Sequence, residues 1–257
     1  MPQFEHVAAV TGASGGIGRA IALRLAAEGA AVAVAARGED GGRETVAQIE
    51  DEGGTAFFTS LDVTEAEQVQ AWVRDTAERF GRLDWLVNNA GMNGRSARIE
   101  EYAIAEFEQV VATNLLSAFY AVHAAIPIMR AQGGGAIVSI GSTASLQGYG
   151  MLGGYTASKH GLLGLTRSIA LENADVPIRA NCVCPGPVDT PLMRGIEELV
   201  SPTDPTVARA MFEGTTALKR YGTVEEIADV VHFLLGDSSR YVTGAAISVD
   251  GGVTTGV

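Results

Sequence analysis

The chain is short of cysteine, of aromatics and of clustered positive charge, and each shortage excludes a class of protein. Cys182 and Cys184 are the only cysteines, so a disulfide-stapled secreted scaffold is ruled out. Two residues apart in a strand, they would point to one side of the sheet yet lie too far apart for an easy bridge. Buried free thiols are expected, and with them a cytoplasmic location. Lys and Arg number 18 against 30 Asp and Glu, a net charge of −12 with no basic run, whereas a nucleic-acid binder would show a basic patch. The sequence has no unbroken apolar run of about 18 residues, so no membrane span is expected. Met1-Pro2-Gln3-Phe4-Glu5-His6 has no basic segment followed by an apolar stretch, so no signal peptide is expected. His6, His123, His160 and His232 lack metal-ligand spacing, and no metal site is expected.

What remains is small and apolar. Of the 257 residues, 47% are hydrophobic, only 6% aromatic, and 32 are glycine. That length suits one α/β domain over 1–257. Strand-length apolar runs lie at His6–Thr11, Ala31–Ala36, Thr55–Ser60, Asp84–Asn88, Ala136–Ile140, Ile178–Cys184 and Ala245–Val249. Helical spacing fills Ile17–Glu28, Gly41–Asp51, Glu65–Phe80, Ile104–Arg130, Tyr155–Asn173 and Val224–Leu235. Strands alternating with helices predict a doubly wound, Rossmann-like sheet of about seven parallel strands, with helices on both faces. Two stretches break the rhythm: Gly91–Ile99, and proline-rich Pro185–Gly214, the second read as a substrate lid over about 185–214.

Thr11-Gly12-Ala13-Ser14-Gly15-Gly16-Ile17-Gly18 joins the first strand to the first helix. Glycines there permit positive φ and close approach of backbone to a phosphate, while the helix start offers free N–H groups. A dinucleotide site is therefore expected at this turn. An NAD site would place an acid at the end of the second strand. Here Ala36 is followed by Arg37, which suits a 2′-phosphate and favours NADP; Glu39 and Asp40 leave NAD open. Tyr155 and Lys159 stand four residues apart on one helix face. A cation beside a phenol favours the phenolate, so Lys159 is expected to lower the Tyr155 pKa and fit it for acid/base work near neutrality.

From about His6 to Gly252 the chain resembles the short-chain dehydrogenase/reductase family in its single-domain form. The resemblance rests on the glycine turn, Leu61-Asp62-Val63, Asn88-Asn89-Ala90-Gly91, Asn114, Ser142 thirteen residues before Tyr155, Tyr155-x-x-x-Lys159 and Cys184-Pro185-Gly186-Pro187-Val188-x-Thr190. It implies an oxidoreductase that interconverts a ketone and a secondary alcohol. Tyr155 would be the general acid/base, and Ser142 would polarise the carbonyl. Lys159 would bond the nicotinamide ribose, and Asn114 would hold a helix irregularity and a water. The cofactor would lie against Gly12, Ser14, Gly15, Gly16, Ile17, Gly18, Arg37, Asp62, Val63, Asn89, Ala90, Gly91, Tyr155, Lys159, Pro185, Gly186, Val188 and Thr190. Within the family, Thr143–Lys159 and Leu218–Gly252 resemble 3-oxoacyl carrier-protein reductases and polyketide-type ketoreductases, which would set Gln147 and Met193 beside the substrate. The family also implies a homotetramer, or a homodimer. A catalytically silent dinucleotide-binding sensor or scaffold on the same fold is the alternative. The longer nucleotide-sugar epimerases need a second domain for which the chain has no room.

Overall fold

The computed structural model describes residues 4–255. Residues 1–3, part of the stretch read as lacking a signal peptide, and residues 256–257 lie outside the described residues. Seven strands, β1 (Val7–Thr11), β2 (Ala31–Ala36), β3 (Thr55–Ser60), β4 (Trp85–Asn88), β5 (Gly135–Ile140), β6 (Ile178–Pro185) and β7 (Ala246–Val249), form one sheet ordered β3-β2-β1-β4-β5-β6-β7. All neighbouring pairs are parallel. Because side chains alternate across a strand, β1 and β2 feed two cores at once. Val7, Ala9, Ala31, Ala33 and Ala35 enter one core; Ala8, Val10, Val32 and Val34 enter the other. This is why both strands read as unbroken apolar runs.

The first core is closed by α3 (Ala66–Phe80), α5 (Ser117–Gln132) and α6 (Gly153–Glu172). The second is closed by α1 (Gly16–Ala27), α2 (Glu39–Asp51) and α9 (Val224–Leu235). At β1 the strand order reverses, since β2 lies on one side and β4 on the other. Such a reversal opens a crevice at the carboxyl ends of the strands, where ligands bind in open α/β sheets. Buried Asp84 holds the opposite end of this centre: its carboxylate accepts from Val7 N at 2.8 Å and takes both arms of Arg82.

Two regions depart from the sequence reading. Ile104–Arg130, read as one helix, is α4 (Ile104–Val111), a π turn at Ala112–Leu116, and α5 running on to Gln132. Its 29-residue span, Ile104–Gln132, is also long and apolar enough by composition to cross a membrane, a feature hidden in the sequence by interspersed polar residues. Here α5 packs on α3, and Ala121, Val122, Ala125 and Met129 are buried in the first core. Pro185–Gly214, read as irregular, carries α7 (Pro191–Val200) and α8 (Pro205–Thr215). Pro191 and Pro205 open these helices, where the missing N–H would be unbonded anyway. Thr190 and Asp204 cap them through their side chains.

Candidate active site

The glycine turn leaves β1 and enters α1. Gly12 and Gly16 have φ of 66° and 53°, a region that favours glycine. A Cβ on Gly18 would sit 2.3 Å from the Gly12 carbonyl oxygen and 2.4 Å from Asn89 Nδ2, so only glycine lets α1 seat here. Gly15 precedes α1 with no side-chain cap, and the first turn holds no acid. The N–H groups of Gly16, Ile17 and Gly18 therefore have no side-chain cap or first-turn acid to compete with an anion at the helix start. That is a cradle fit for a pyrophosphate. Ser14 lends its carbonyl to Arg19 Nη2 at 2.8 Å, and Arg19 also reaches Gly41 O, Glu44 and Thr45. This brace was not foreseen in the sequence, where Arg19 reads as an ordinary helix charge. Asn89, directly after β4, faces the turn: its Nδ2 donates to Thr11 O and Gly12 O, while Asn89 N and Ala90 N donate to Thr11 Oγ1. The Asn89 amide thus holds the turn's shape.

At the far end of the crevice, Arg37 is exposed directly after β2. Among the described residues no carboxylate lies within ion-pair distance of it. Glu39 and Asp40 fall in the first turn of α2, and Glu39 is taken by Arg43. Asp62 accepts from Thr64 N and Thr64 Oγ1 at 2.9 and 2.8 Å. These bonds, with the Arg37 charge nearby, hold its carboxyl below the usual range. Val63 turns its side chain into the first core.

At the near end three elements converge. Ser142 follows β5 and caps a short 3-10 turn: its Oγ accepts from Ala144 N at 3.1 Å, and Ser145 Oγ accepts in turn from Ser142 N. An oxygen used as acceptor keeps its own proton to donate. Tyr155 and Lys159 lie in the first turns of α6. Lys159 Nζ is buried, donates to Ile140 O at 2.7 Å and lies 5.7 Å from the centre of the Tyr155 ring. In the segment after β4, Gly91 completes the wall: a Cβ there would stand 3.4 Å from Asn114 Oδ1 and 3.6 Å from Lys159 Nζ. Asn114 sits in the π turn, buried, with its side chain fully engaged. Oδ1 accepts from Met92 N, and Nδ2 donates to Met92 O and Ser158 Oγ.

The electrostatics differ from the expectation that Lys159 lowers the Tyr155 pKa. Burial pushes the Tyr155 phenol up, and the Ser142 hydroxyl bonded to it works in the opposite direction. Burial also brings Lys159 down to about 8. Desolvation penalises the charged form of both groups, and it dominates here. Behind the pair lie Cys182 and Cys184, free, buried and 3.9 Å apart at sulfur on one side of β6.

Pro185 ends β6, and Gly186, Val188 and Thr190 follow it along the crevice rim. The segment is tied to the chain before α9: Asp189 N donates to Gly222 O at 3.0 Å and Gly222 N to Pro187 O at 2.9 Å. In a parallel pairing of this kind the N–H of the central residue, Val188, faces the opposite side. Thr190 lies against the glycine turn, within 3.6 Å of where a Gly16 Cβ would stand. Gln147 is exposed beyond Ser142, donating to Tyr149 Oη at 2.8 Å, which donates to Thr143 Oγ1 at 2.9 Å. Tyr149 in this chain was not foreseen, because a tyrosine in a glycine-rich loop carries no sequence signal. Met193 lies half-buried in α7. Among the described residues no group of three or more His, Cys, Asp or Glu is placed to hold a metal ion.

Residues 12–254 match a protein-family model described as Enoyl-(Acyl carrier protein) reductase. Levodione reductase of Leifsonia aquatica is 39% identical over 96% of this chain and 94% of its own length. Cyclohexanol dehydrogenase of an Acinetobacter species (strain SE19) is 39% identical over 98% of this chain and 96% of its own. Among solved structures, a levodione reductase superposes with a TM-score of 0.96 at 38% identity over 99% of both chains. A single-substitution variant of actinorhodin polyketide ketoreductase with NADPH gives 0.92 at 38% identity, covering 96% of this chain and 97% of that one. An NAD+-bound xylitol dehydrogenase gives 0.92 at 35% identity, covering 96% and 98%.

Proposed function

The chain belongs to the short-chain dehydrogenase/reductase family, an NAD(P)-dependent oxidoreductase acting between CH–OH and C=O groups, and from that premise we propose the roles of its residues. The observation that carries the proposal is the placement of Lys159 Nζ, 2.7 Å from Ile140 O and 5.7 Å from the Tyr155 ring. It fixes the start of α6 against the carboxyl end of β5, where Ser142 follows.

In the reductive direction Tyr155 Oη gives its proton to the substrate oxygen, and in the oxidative direction it takes that proton back. The Ser142 hydroxyl donates to the same oxygen and polarises the carbonyl. Lys159 supplies the nearby positive charge and, with Tyr155, a hydroxyl-binding corner for a ribose. Asn114 is a positioning residue: its amide spans Met92 and Ser158 and so fixes the π turn beside Lys159. A bound nicotinamide dinucleotide supplies or accepts the hydride. Gly12, Ser14, Gly15, Gly16, Ile17 and Gly18 would hold its pyrophosphate, and Asp62, Val63, Ala90 and Gly91 would border its adenosine half. Pro185, Gly186, Thr190 and the Val188 N–H would hold its nicotinamide. Asn89 contributes by shaping the glycine turn.

The cofactor we assign is NADP(H), with NAD(H) second, because Arg37 offers an exposed guanidinium at the end of β2 and no carboxylate stands in its place. The substrate we assign is a ketone or secondary alcohol of the 3-oxoacyl or polyketide kind, bordered by Gln147 and Met193 under a lid formed by α7 and α8. Leu116 and Phe119 near α5, Leu171 of α6 and Tyr241 before β7 are exposed apolar groups that support assembly into a homotetramer or homodimer. A cytoplasmic setting fits the pair of reduced thiols.

The test is turnover of reduced cofactor, followed by its absorbance, across a panel of ketones and 3-oxoesters. Oxidation of NADPH faster than NADH is expected. Binding of cofactor without turnover of any carbonyl or alcohol would instead favour the silent sensor.

A further inference from the structure

The geometry points to Arg209 as a positioning residue: from α8, through Asp189, it holds the Pro187–Thr190 segment against the cofactor crevice. This rests on the reading above that the segment holds the nicotinamide. Arg209 has no place in the sequence motifs that define the site, and it lies about 20 residues beyond the segment it grips.

The contacts form one connected set. Arg209 Nη2 stands 3.4 Å from Asp189 Oδ2, while its Nε bonds Glu213 Oε1 at 3.0 Å. Its guanidinium lies 4.6 Å over the centre of the Tyr221 ring, a stacked cation–π arrangement. Tyr221 is buried, and its neighbour Gly222 is the residue that pairs with Val188. Arg209 therefore touches both sides of that pairing, the Asp189 side through charge and the Tyr221 side through its flat face. The other Asp189 oxygen takes Arg194 of α7 at 3.0 Å. One carboxylate thus receives a guanidinium from each lid helix. Directly after it, Thr190 caps α7 and rests against Gly16 of the glycine turn. A shift of Asp189 would move Thr190 and the Val188 N–H together.

An isolated exposed ion pair would contribute little. Three features separate this one from that case. Arg209 is pinned at three points, stacking included, so its fork is preorganised. Asp189 joins Val188 in the ladder with Gly222, so the force acts on backbone. The two ends of the connection, α8 and the crevice rim, have no other charged link among the described residues.

The experiment compares two probes: NADPH, and 2′-phospho-ADP-ribose, which carries the same phosphates and adenosine but no nicotinamide. Dissociation constants are measured for the unaltered protein, Arg209→Met, Arg209→Lys and Asp189→Asn. Arg209→Met is expected to weaken NADPH binding about threefold to tenfold, as coupled neighbours do, and to leave 2′-phospho-ADP-ribose unchanged. Arg209→Lys should recover part of the loss, since it restores the charge but neither the fork nor the stack. Asp189→Asn should reproduce the Arg209→Met effect, and the double variant should be no weaker than either single one. Equal losses for both probes would show a general structural defect and overturn the proposal, as would unchanged NADPH binding in Arg209→Met. If the unaltered protein bound NADPH no more tightly than the fragment, the assignment of the segment to the nicotinamide would fall first. If it bound neither, the cofactor reading itself would fall.

Discussion

Lys159 Nζ and the Ile140 carbonyl oxygen meet at 2.7 Å across the gap between α6 and the end of β5. This bond decides where the buried charge sits. It also makes Lys159 the group whose titration is easiest to follow, because the chain has only one other lysine, Lys219.

We expect the ammonium of Lys159 to titrate near pH 8 in the cofactor-free protein, since burial lowers it from the usual 10.5 to about 8. Lysine labelled with 13C at the ε position gives two signals, and Lys219→Arg identifies which is which. In the reductive direction kcat/KM for NADPH reports the cofactor-free enzyme and should fall as pH rises through about 8, as the cation is lost. A Lys159 signal titrating above 10 would remove the physical basis of this limb.

The same shift acts on stability. Between about 8 and 10.5 the unfolded chain holds a proton on Lys159 that the folded chain has released. Stability therefore rises with pH across that window, and the penalty of burying the charge is fully present below it. Lys159→Met has no such penalty. Denaturant unfolding should show the unaltered protein gaining on Lys159→Met as pH rises from 7 to 10, by an amount on the order of 3 kcal/mol. A difference that stays flat with pH would contradict the buried-charge assignment.

Tyr155→Phe keeps the ring and removes the proton carrier. Turnover should drop by about two to four orders of magnitude, the usual contribution of general acid–base catalysis. Cofactor affinity, read by fluorescence titration, should change little. If the variant kept a tenth or more of the rate, the proton would be reaching the substrate by another route.

Arg37→Ala tests the choice of cofactor. A charge-assisted contact to a 2′-phosphate contributes about 1.5–3 kcal/mol, so NADPH affinity should fall roughly tenfold to a hundredfold. NADH affinity should not move. An equal effect on both cofactors would show that Arg37 does not read the phosphate.

Much of this was legible in the sequence because it depends on local pattern. β2 begins and ends where its continuous Val and Ala run does, between Gly29 and Gly38, and β3, Thr55–Ser60, starts directly after Gly53-Gly54. The glycine turn was legible because its glycines answer to backbone geometry, and Gly18 has no room for a methyl group. Other features are set by partners distant in sequence. Arg19 looks like any helix charge until Ser14, Gly41 and Glu44 are folded around it. The proline-rich stretch 185–214 reads as irregular because proline stops a helix from within but suits its first turn, and the caps at Thr190 and Asp204 are what place Pro191 and Pro205 in first turns. The fall in Lys159 pKa and the rise in that of Tyr155 follow from burial, which spacing along a helix does not report.

The π turn at Ala112–Leu116 carries a consequence for insertions and deletions. An α-helix advances roughly 100° per residue, and a π turn holds one residue more than the α ladder needs. The turn absorbs that extra residue, so the faces of α4 and α5 stay aligned in space although the count between them is one off the α period. Deleting one residue within the turn would close it to α geometry and leave the outer faces aligned, but it would displace Asn114 from Met92 or from Ser158. Deleting one residue of α4 or α5 outside the turn would swing the side chains beyond it by that angle and turn an apolar stripe off its core. Substitutions along this stretch change one contact at a time, whereas a change of length outside the turn changes the phase of every side chain beyond it. In this helix the number of residues is as much a determinant of the site as their identity.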